Sequence, residues 1–259
     1  ESATHWLMAV ALFLAFLRVI VSAYRWQVML SARQMKVSLL LLTNYYLVGG
    51  FFNLFLPTVL GGDVMRGYEL ARSSGKALDS ASTVVMERIV GFLALFVICW
   101  VSLPFGYHLL ADTNVPYVVA GVSCAFLVFV IVILNRRAME QLVSFTSIIK
   151  RWNLQERVRA AVASLHSLGQ SRQVMFKAFL ISLVFQLVGI VSTYCISEAL
   201  SLHVPFAYFL IVMPLIWVLM MLPISISGIG VREGAFVLFF TQLGVPEEQA
   251  ILLSLLFFC

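Results

Sequence analysis

A short pattern that interrupts two long apolar runs most constrains the fold of this chain. It reads LPTVLGGDVMRGYE at 56–69 and LPISISGIGVREGA at 222–235. When Pro57 and Pro223 are aligned, a glycine follows five positions later and an arginine nine positions later in each copy. Inside a membrane, Pro and Gly breaks are tolerated only where protein or water satisfies the released backbone groups. Two such breaks at matching points therefore indicate a transport site between internal repeats.

The residues around these breaks are too apolar for a soluble protein. Hydrophobic residues make up 62% of the 259 residues and charged residues 11%, and the mean hydropathy is +1.01. This composition predicts an all-α polytopic membrane protein. The four cysteines stand in apolar runs without metal or disulfide spacing, and no nucleotide-binding loop is present. We therefore expect no metal and no cofactor. The chain opens at Glu1 rather than Met and ends in an apolar run, which predicts that both ends are truncated.

Positive charge is concentrated in three stretches. Residues 25–36, 66–76 and 136–177 hold 14 of the 17 lysines and arginines, whereas the loops 104–114 and 201–205 hold none. The positive-inside rule places the three stretches in the cytoplasm and the two loops outside. The net charge of +5 then reflects membrane orientation and contact with anionic lipid at the cytoplasmic surface, not nucleic acid.

The charge map also sets the path of the chain through the first break. A first span is predicted over 6–22, with Arg18 near its end and Arg25 and Trp26 at the headgroup boundary. Residues 37 to about 62 form either a re-entrant hairpin or a full span, and the cationic residues that follow favour the hairpin. The first break is then entered from the cytoplasm and the second from outside, which makes them an inverted pair.

We divide the single transmembrane domain, 1–259, into three parts. Repeat one covers about 6–134 and repeat two, which is incomplete, about 174–259. Between them, 138–172 shows apolar residues at helical spacing against a basic face, which predicts an amphipathic helical segment on the cytoplasmic surface. Its basic face either serves topology alone, by meeting anionic lipid, or forms a specific binding site.

The breaks have the chemistry of an anion site. A Gly-rich turn that opens a helix presents free N–H groups, and an arginine beside it adds a forked donor suited to phosphate. Glu87 and Arg88 add charge within the span 81–103. Because a charge in lipid costs roughly 2.5 to 3.5 kcal/mol, we expect these groups to face one another or a hydrated cavity. The alternative is purely structural: the arginines snorkel or pair with neighbouring carboxylates. The candidate substrate-binding residues are Arg66, Arg232, Gly61, Gly62, Asp63, Glu87, Arg88, Gly228, Gly230 and Glu233.

Three stretches together resemble a known family. NLFLPTVLGGDVMRGYEL, GKALDSASTVVMERIVGFLAL and LPISISGIGVREGAF, in this order, are similar to the lysylphosphatidylglycerol synthase transmembrane family. That family includes the flippase half of the bacterial multiple peptide resistance factor and stand-alone membrane proteins. The resemblance implies a lipid translocase of the bacterial or archaeal cytoplasmic membrane. The soluble aminoacyl-transferase half of that factor is absent from these residues, so we expect no enzyme activity and no catalytic residues.

The leading hypothesis is a flippase for a phosphate-bearing phospholipid, with or without an aminoacyl group. Arg66 and Arg232 would hold the phosphate, the four glycines would let the backbone approach it, and the carboxylates would balance the arginines or attract a headgroup amine. Two alternatives remain open. One is a transporter of a small charged solute. The other is a membrane transferase using a polyprenyl-phosphate-linked donor, for which the external loops offer only Asp112 and Glu198 as a base. A fused or separate synthase domain and a homo-oligomer are also left open.

Overall fold

Helices make up all the regular structure in the residues that the computed structural model describes, which are 2–53, 55, 61–110, 115–135, 155–220 and 228–258. This confirms the predicted all-α fold. The helices are α1 (Ser2–Ser31), α2 (Leu39–Asn53), α3 (Gly61–Ser74), α4 (Ala77–Leu110), α5 (Val115–Leu134), α6 (Gln155–Gly169), α7 (Arg172–Ala199), α8 (Phe206–Met220), α9 (Val231–Phe240) and α10 (Glu247–Phe258), with a 3-10 turn at Thr241–Leu243.

Three of these helices are long and apolar enough to cross a bilayer. They are the segments His5–Ser31 of α1, Ala77–Pro104 of α4 and Arg172–Ala199 of α7. At 1.5 Å per residue, 28 residues extend about 42 Å, which exceeds the roughly 30 Å hydrocarbon core. Large apolar side chains such as Phe13 and Phe16 are exposed on the surface of α1. Exposed apolar surface of this kind is satisfied by lipid, so the predicted membrane location is confirmed at this level.

The first helix is longer than the predicted first span. α1 continues past Ser22, and Arg25 and Trp26, which were predicted to lie at the headgroup boundary, are buried within the helix bundle. The polar groups of both are satisfied there, since Arg25 pairs with Glu87 and Trp26 Nε1 donates to Thr83 Oγ1 at 3.1 Å. Their burial depends on partners that only tertiary packing supplies, and their depth in the membrane stays a prediction.

Helices α1 and α7 pack against each other in antiparallel orientation. Near the start of α1, the carbonyl of Ala11 accepts a hydrogen bond from Ser192 Oγ at 3.0 Å. Further along α1, Arg25 Nη1 donates to Ser182 Oγ at 3.1 Å. Residue numbers thus rise along α1 while they fall along α7. The pair forms a central wall against which the hairpins pack.

Helices α2 and α3 form a hairpin whose ends meet at two glycines. A Cβ on Gly49 would lie 2.8 Å from the carbonyl oxygen of Gly62. The N–H of Gly62 donates to Asn53 Oδ1 at 2.6 Å, so the last residue of α2 caps the start of α3. Only glycine permits this backbone contact. The first proline, Pro57, lies outside the described residues.

A second hairpin is formed by α8 and α9 and continues into α10. The hydroxyl of Tyr208 donates to the carbonyl of Phe239 at 2.5 Å, which ties α8 to the end of α9. Phe236 and Phe240 are fully buried and their rings are stacked, with centroids 5.4 Å apart. These residues belong to a hydrophobic core that joins this hairpin to α1, α4, α5, α7 and α10. The second proline, in 221–227, is outside the described residues.

The predicted amphipathic segment is helical over α6, whereas 136–154 lie outside the described residues. Leu165 and Leu168 of α6 are buried in a cluster with Met29 and Met86. This part of the apolar face thus contacts α1 and α4 rather than the membrane surface. Contact of the basic face with anionic lipid stays a prediction.

Candidate functional site

A cavity of about 410 Å³ lies within the helix bundle, between α1, α2, α3, α4, α7, α8 and α10. Aromatic and aliphatic side chains form much of its wall. Three residues that the sequence predicts as site residues line it: Arg66, Glu87 and Arg88. The polar lining residues are Arg18, Ser22, Arg25, Tyr46, Arg66, Glu87, Arg88 and Gln186.

Glu87 is the central hydrogen-bond acceptor of a charged cluster at the cavity, formed by Arg18, Arg25, Arg66 and Arg88 with Asp63 and Glu87. It is 1% exposed. Arg25 Nη2 donates to its Oε1 at 2.5 Å, and Arg66 Nη1 donates to its Oε2 at 2.5 Å. The hydroxyl of Tyr46 also donates to Oε1. A single carboxylate from α4 thus joins side chains from α1, α2 and α3, which fixes the first hairpin against the long helices.

Asp63 forms the second anionic point, in the first turn of α3. Its Oδ1 accepts from Arg66 Nε at 3.0 Å, and its Oδ2 accepts from Arg88 Nε. A carboxylate in the first turn is also favoured by the helix dipole. Asp63 and Glu87 therefore hold Arg66 from both sides, and its guanidinium also lies 4.8 Å from the ring centroid of Trp26.

Positive charge exceeds negative charge in this cluster. Among the described residues, Arg18, Arg25, Arg66 and Arg88 meet only two carboxylates, Asp63 and Glu87. The cluster therefore carries a net charge of +2. Because unpaired charge in a membrane domain is costly, the arrangement favours an anionic ligand.

Of these four arginines, Arg18 is the one for which the described residues supply no carboxylate partner. Its guanidinium lies over the rings of Phe185 and Trp217, 4.4 and 4.9 Å from their centroids. Its Nε is buried and has no hydrogen-bond acceptor; leaving such a group unsatisfied costs about 1–3 kcal/mol. Gly189 makes room for it, since a Cβ there would lie 2.8 Å from the guanidinium carbon. Arg18 is thus held at the wall of the cavity by packing rather than by an ion pair.

An apolar groove of about 590 Å³ adjoins the cavity between α3, α4 and α5. Arg88 and Phe92 line both spaces, and Asp63 lies at the edge of the groove. The rest of the groove is lined mainly by small and aliphatic side chains, among them Ala81 and Val85. The cationic cavity and a surface suited to hydrocarbon are therefore neighbours.

The second break is built differently from the first. Arg232 is 1% exposed and pairs with Glu233, and its Nε donates to Ser254 Oγ at 3.0 Å. Glu233 Oε2 in turn accepts from the N–H of Gly230 at 2.6 Å, where φ is +84°. Arg232 is not among the described residues that line the 410 Å³ cavity. The structure therefore does not bring Arg66 and Arg232 to one opening, and a joint phosphate contact stays a prediction.

The predicted glycines lie in turns and close helix contacts. Gly61 and Gly62 are buried, and the N–H of Gly62 is already bonded to Asn53. Gly228 has φ +76°, and a Cβ there would lie 3.4 Å from the side chain of Met220, which lines the cavity. For Gly62 the geometry favours a packing role over backbone contact with a ligand.

Sequence reasoning missed five polar residues of the cavity, which are Arg18, Ser22, Arg25, Tyr46 and Gln186. Arg25 was placed at the headgroup boundary and Arg18 at a span end, while Tyr46 and Gln186 were not singled out. A signal was present for α1, since Arg18, Ser22 and Arg25 recur at spacings that place them on one helical face. For Tyr46 and Gln186 no local pattern distinguishes them from other polar residues in apolar helices.

The fold and the cavity define a class: a polytopic α-helical membrane protein with a buried cationic site between a long helix pair and a helical hairpin. The family comparison is more specific. The chain belongs to the family described as the lysylphosphatidylglycerol synthase TM region, whose model matches residues 1–259. It is also 25% identical over 256 residues to a "UPF0104 membrane protein" of Methanothermobacter thermautotrophicus, a match that covers 92% of this chain and 76% of that protein. No solved structure matches the chain.

Proposed function

We propose that this protein is a flippase that moves a phosphate-bearing phospholipid between the leaflets of a bacterial or archaeal cytoplasmic membrane, without catalysing a covalent reaction. One observation carries the proposal. The cavity inside the membrane domain has a net charge of +2, and Arg18 in its wall has no anionic partner among the described residues. A headgroup phosphate supplies the missing charge.

The arginines can bind a phosphate and still be paired with carboxylates when no phosphate is present. In this conformation Arg66 is held by Asp63 and Glu87. A phosphate that enters beside Arg18 can take over donors from Arg25 and Arg66, because guanidinium groups bind phosphate and carboxylate with the same forked geometry. The carboxylates then keep the arginines paired when the site is empty.

Two features favour a lipid over a soluble anion. A volume of about 410 Å³ falls in the range of small-molecule pockets, which suits a polar headgroup. The apolar groove begins at Arg88 and Phe92, where the cavity ends. A molecule with a phosphate at one end and a hydrocarbon chain at the other can occupy both spaces at once.

The order of elements supports alternating access by an inverted repeat. The long helix α1 is followed by the hairpin α2–α3, and its antiparallel partner α7 is followed by the hairpin α8–α9. The 15 residues of α2 extend about 22 Å, less than a hydrocarbon core of roughly 30 Å. This length favours the re-entrant hairpin predicted for 37 to about 62 over a full span, with the second hairpin entering from the other side.

A leaflet-accessibility assay tests the proposal. The protein is reconstituted into vesicles that carry a fluorescent phosphatidylglycerol, and dithionite reports how fast the label reaches the outer leaflet. Arg18→Gln and Arg66→Gln are expected to slow this movement about tenfold or more, because each removes a charged hydrogen-bond donor. Arg72→Gln, at an exposed position of α3, serves as the control and should retain the wild-type rate.

The other outcomes distinguish the alternatives. Wild-type rates in both arginine variants would refute the cavity as the transport site. Competition by glycerol phosphate, which lacks acyl chains, would instead indicate a transporter of a small solute. A new lipid product on thin-layer chromatography would indicate a transferase.

A further inference from the structure

Three buried polar atoms at the cavity lack hydrogen-bond partners among the described residues. They are Arg18 Nε, Trp217 Nε1 and Gln186 Oε1, and all three side chains line the same space. In folded proteins the great majority of buried polar atoms are hydrogen-bonded. Three exceptions around one cavity indicate the groups that a ligand brings: acceptors for two N–H donors and a donor for one carbonyl oxygen.

The guanidinium of Arg18 lies over the indole ring of Trp217. The guanidinium carbon of Arg18 is 4.9 Å from the ring centroid of Trp217, and Phe185 covers it at 4.4 Å. Neither N–H has an acceptor among the described residues. A phosphate has several acceptor oxygens and one or more negative charges, so it can satisfy both donors and compensate the unpaired cation. Arg18 and Trp217 are therefore the side chains whose unpartnered N–H groups suit a phosphate.

Gln186 has the opposite requirement. Its Nε2 donates to the carbonyl of Gly91 at 3.3 Å, which fixes the orientation of the amide. Its Oε1 has no hydrogen-bond donor among the described residues, and water cannot easily supply one because the residue is only 5% exposed. A hydroxyl or an ammonium group on the headgroup could supply that donor. The net charge of +2 on the cluster decides between them, because an ammonium group would add positive charge to a site that already has an excess.

We propose that the substrate is a net-anionic phospholipid. The alcohol esterified to its phosphate is uncharged and carries a free hydroxyl group, with the phosphate at Arg18 and Trp217 and the hydroxyl at Gln186. This inference rests on the proposed flippase function and narrows its substrate. It also separates this chain from the aminoacylated lipids that the family resemblance implies, since lysylphosphatidylglycerol carries a net positive charge.

Four fluorescent lipids with identical acyl chains test the assignment in the vesicle assay. Phosphatidylglycerol has the charge and the hydroxyl, phosphatidylmethanol has the charge alone, phosphatidylethanolamine is zwitterionic, and lysylphosphatidylglycerol is net positive. The wild-type protein is expected to move phosphatidylglycerol about fivefold faster than phosphatidylmethanol, which corresponds to one neutral hydrogen bond, and both faster than the two amine-bearing lipids.

Two variants assign the subsites separately. Gln186→Leu should bring phosphatidylglycerol down to the rate of phosphatidylmethanol and leave the latter unchanged. Trp217→Phe, which keeps a ring over Arg18 but removes the N–H, should slow both anionic lipids equally. Gel filtration and circular dichroism confirm that each variant is folded. If a variant does not fold, the order of the four lipids with the wild-type protein still decides the question.

The two proposals fail in different ways. If the wild-type protein moves none of the four lipids, the flippase function is wrong. If it moves lysylphosphatidylglycerol as fast as phosphatidylglycerol, or if Gln186→Leu keeps the preference for the hydroxyl-bearing lipid, the flippase function stands and the headgroup assignment is wrong.

Discussion

Arg66 of α3 and Glu87 of α4 form a buried ion pair, with Nη1 and Oε2 2.5 Å apart and side chains 3% and 1% exposed. The pair joins the first hairpin to the longest helix of the bundle. Because Glu87 also accepts from Arg25 and Tyr46, the carboxylate is shared by two arginines and one tyrosine hydroxyl. We therefore expect the stability of the bundle to depend on Glu87.

Replacing Glu87 by leucine should destabilise the protein strongly. The change leaves Arg25 and Arg66 buried without this partner, and breaking a buried ion pair typically costs about 3–5 kcal/mol. The midpoint of thermal unfolding in detergent, followed by gel filtration, measures the effect. The matched control is Glu248→Leu, at an exposed position of α10, which should unfold close to the wild-type temperature. Equal midpoints for the two variants would contradict the structural role of Glu87.

Gly189→Ala tests Arg18 without changing any charge. A Cβ at position 189 would lie 2.8 Å from the Arg18 guanidinium carbon and 2.9 Å from its Nε, so the side chain must move away from the wall of the cavity. Transport should fall about as far as in Arg18→Gln, while the unfolding temperature changes little because alanine favours the helix by about 1 kcal/mol. Gly121→Ala, where a Cβ meets nothing within 4 Å, should retain transport. Unchanged transport in Gly189→Ala would show that the position of Arg18 is not critical.

The contact between α2 and α3 gives a second pair of glycine variants. A Cβ on Gly62 would overlap the carbonyl oxygen of Gly49 and approach Asn53 Oδ1 to 2.7 Å. Gly62→Ala should therefore separate the hairpin ends and cost about 1–3 kcal/mol, as overpacking usually does. Gly50→Ala has open space around its Cβ and should be neutral or slightly stabilising. Thermal unfolding of both variants measures the difference, and similar midpoints would place the helix contact elsewhere.

Much of the fold could be read from the sequence because it depends on local signals. The long apolar runs specify the helices of the membrane domain, and the glycine pair at 61–62 marks the start of α3. Because unpaired charges in lipid are costly, the sequence predicted that the charged residues face one another or a hydrated cavity. In the structure, Asp63 and Glu87 both pair with Arg66. Each of these inferences needs only the chemistry of one segment and the cost of charge in lipid.

The rest could not be predicted because it depends on which segments meet. Arg25 and Trp26 have the composition of a headgroup boundary, and only the arrival of Glu87 and Thr83 from α4 makes burial favourable. Gln186 has no distinguishing local pattern in the sequence. Its proposed role depends on the hydrogen bond that Nε2 donates to the carbonyl of Gly91, with Oε1 left without a partner among the described residues. Sequence symmetry between the two breaks likewise does not reveal that their arginines have different surroundings.

The different surroundings of Arg66 and Arg232, which occupy equivalent positions in the repeated pattern, predict different effects of their substitution. Arg232 contacts Glu233, Ser254 and the ring of Phe258 rather than the described wall of the cavity. Arg232→Met should therefore lower the unfolding temperature, because it leaves Glu233 without its partner, yet keep the wild-type dissociation constant for phosphatidylglycerol in native mass spectrometry titrations. Arg66→Met should weaken that binding about tenfold or more, since it removes a charged donor from the cavity. Equal losses of binding in the two variants would restore the joint phosphate site that the repeated pattern suggested, and would require the second hairpin to reach the cavity in another conformation.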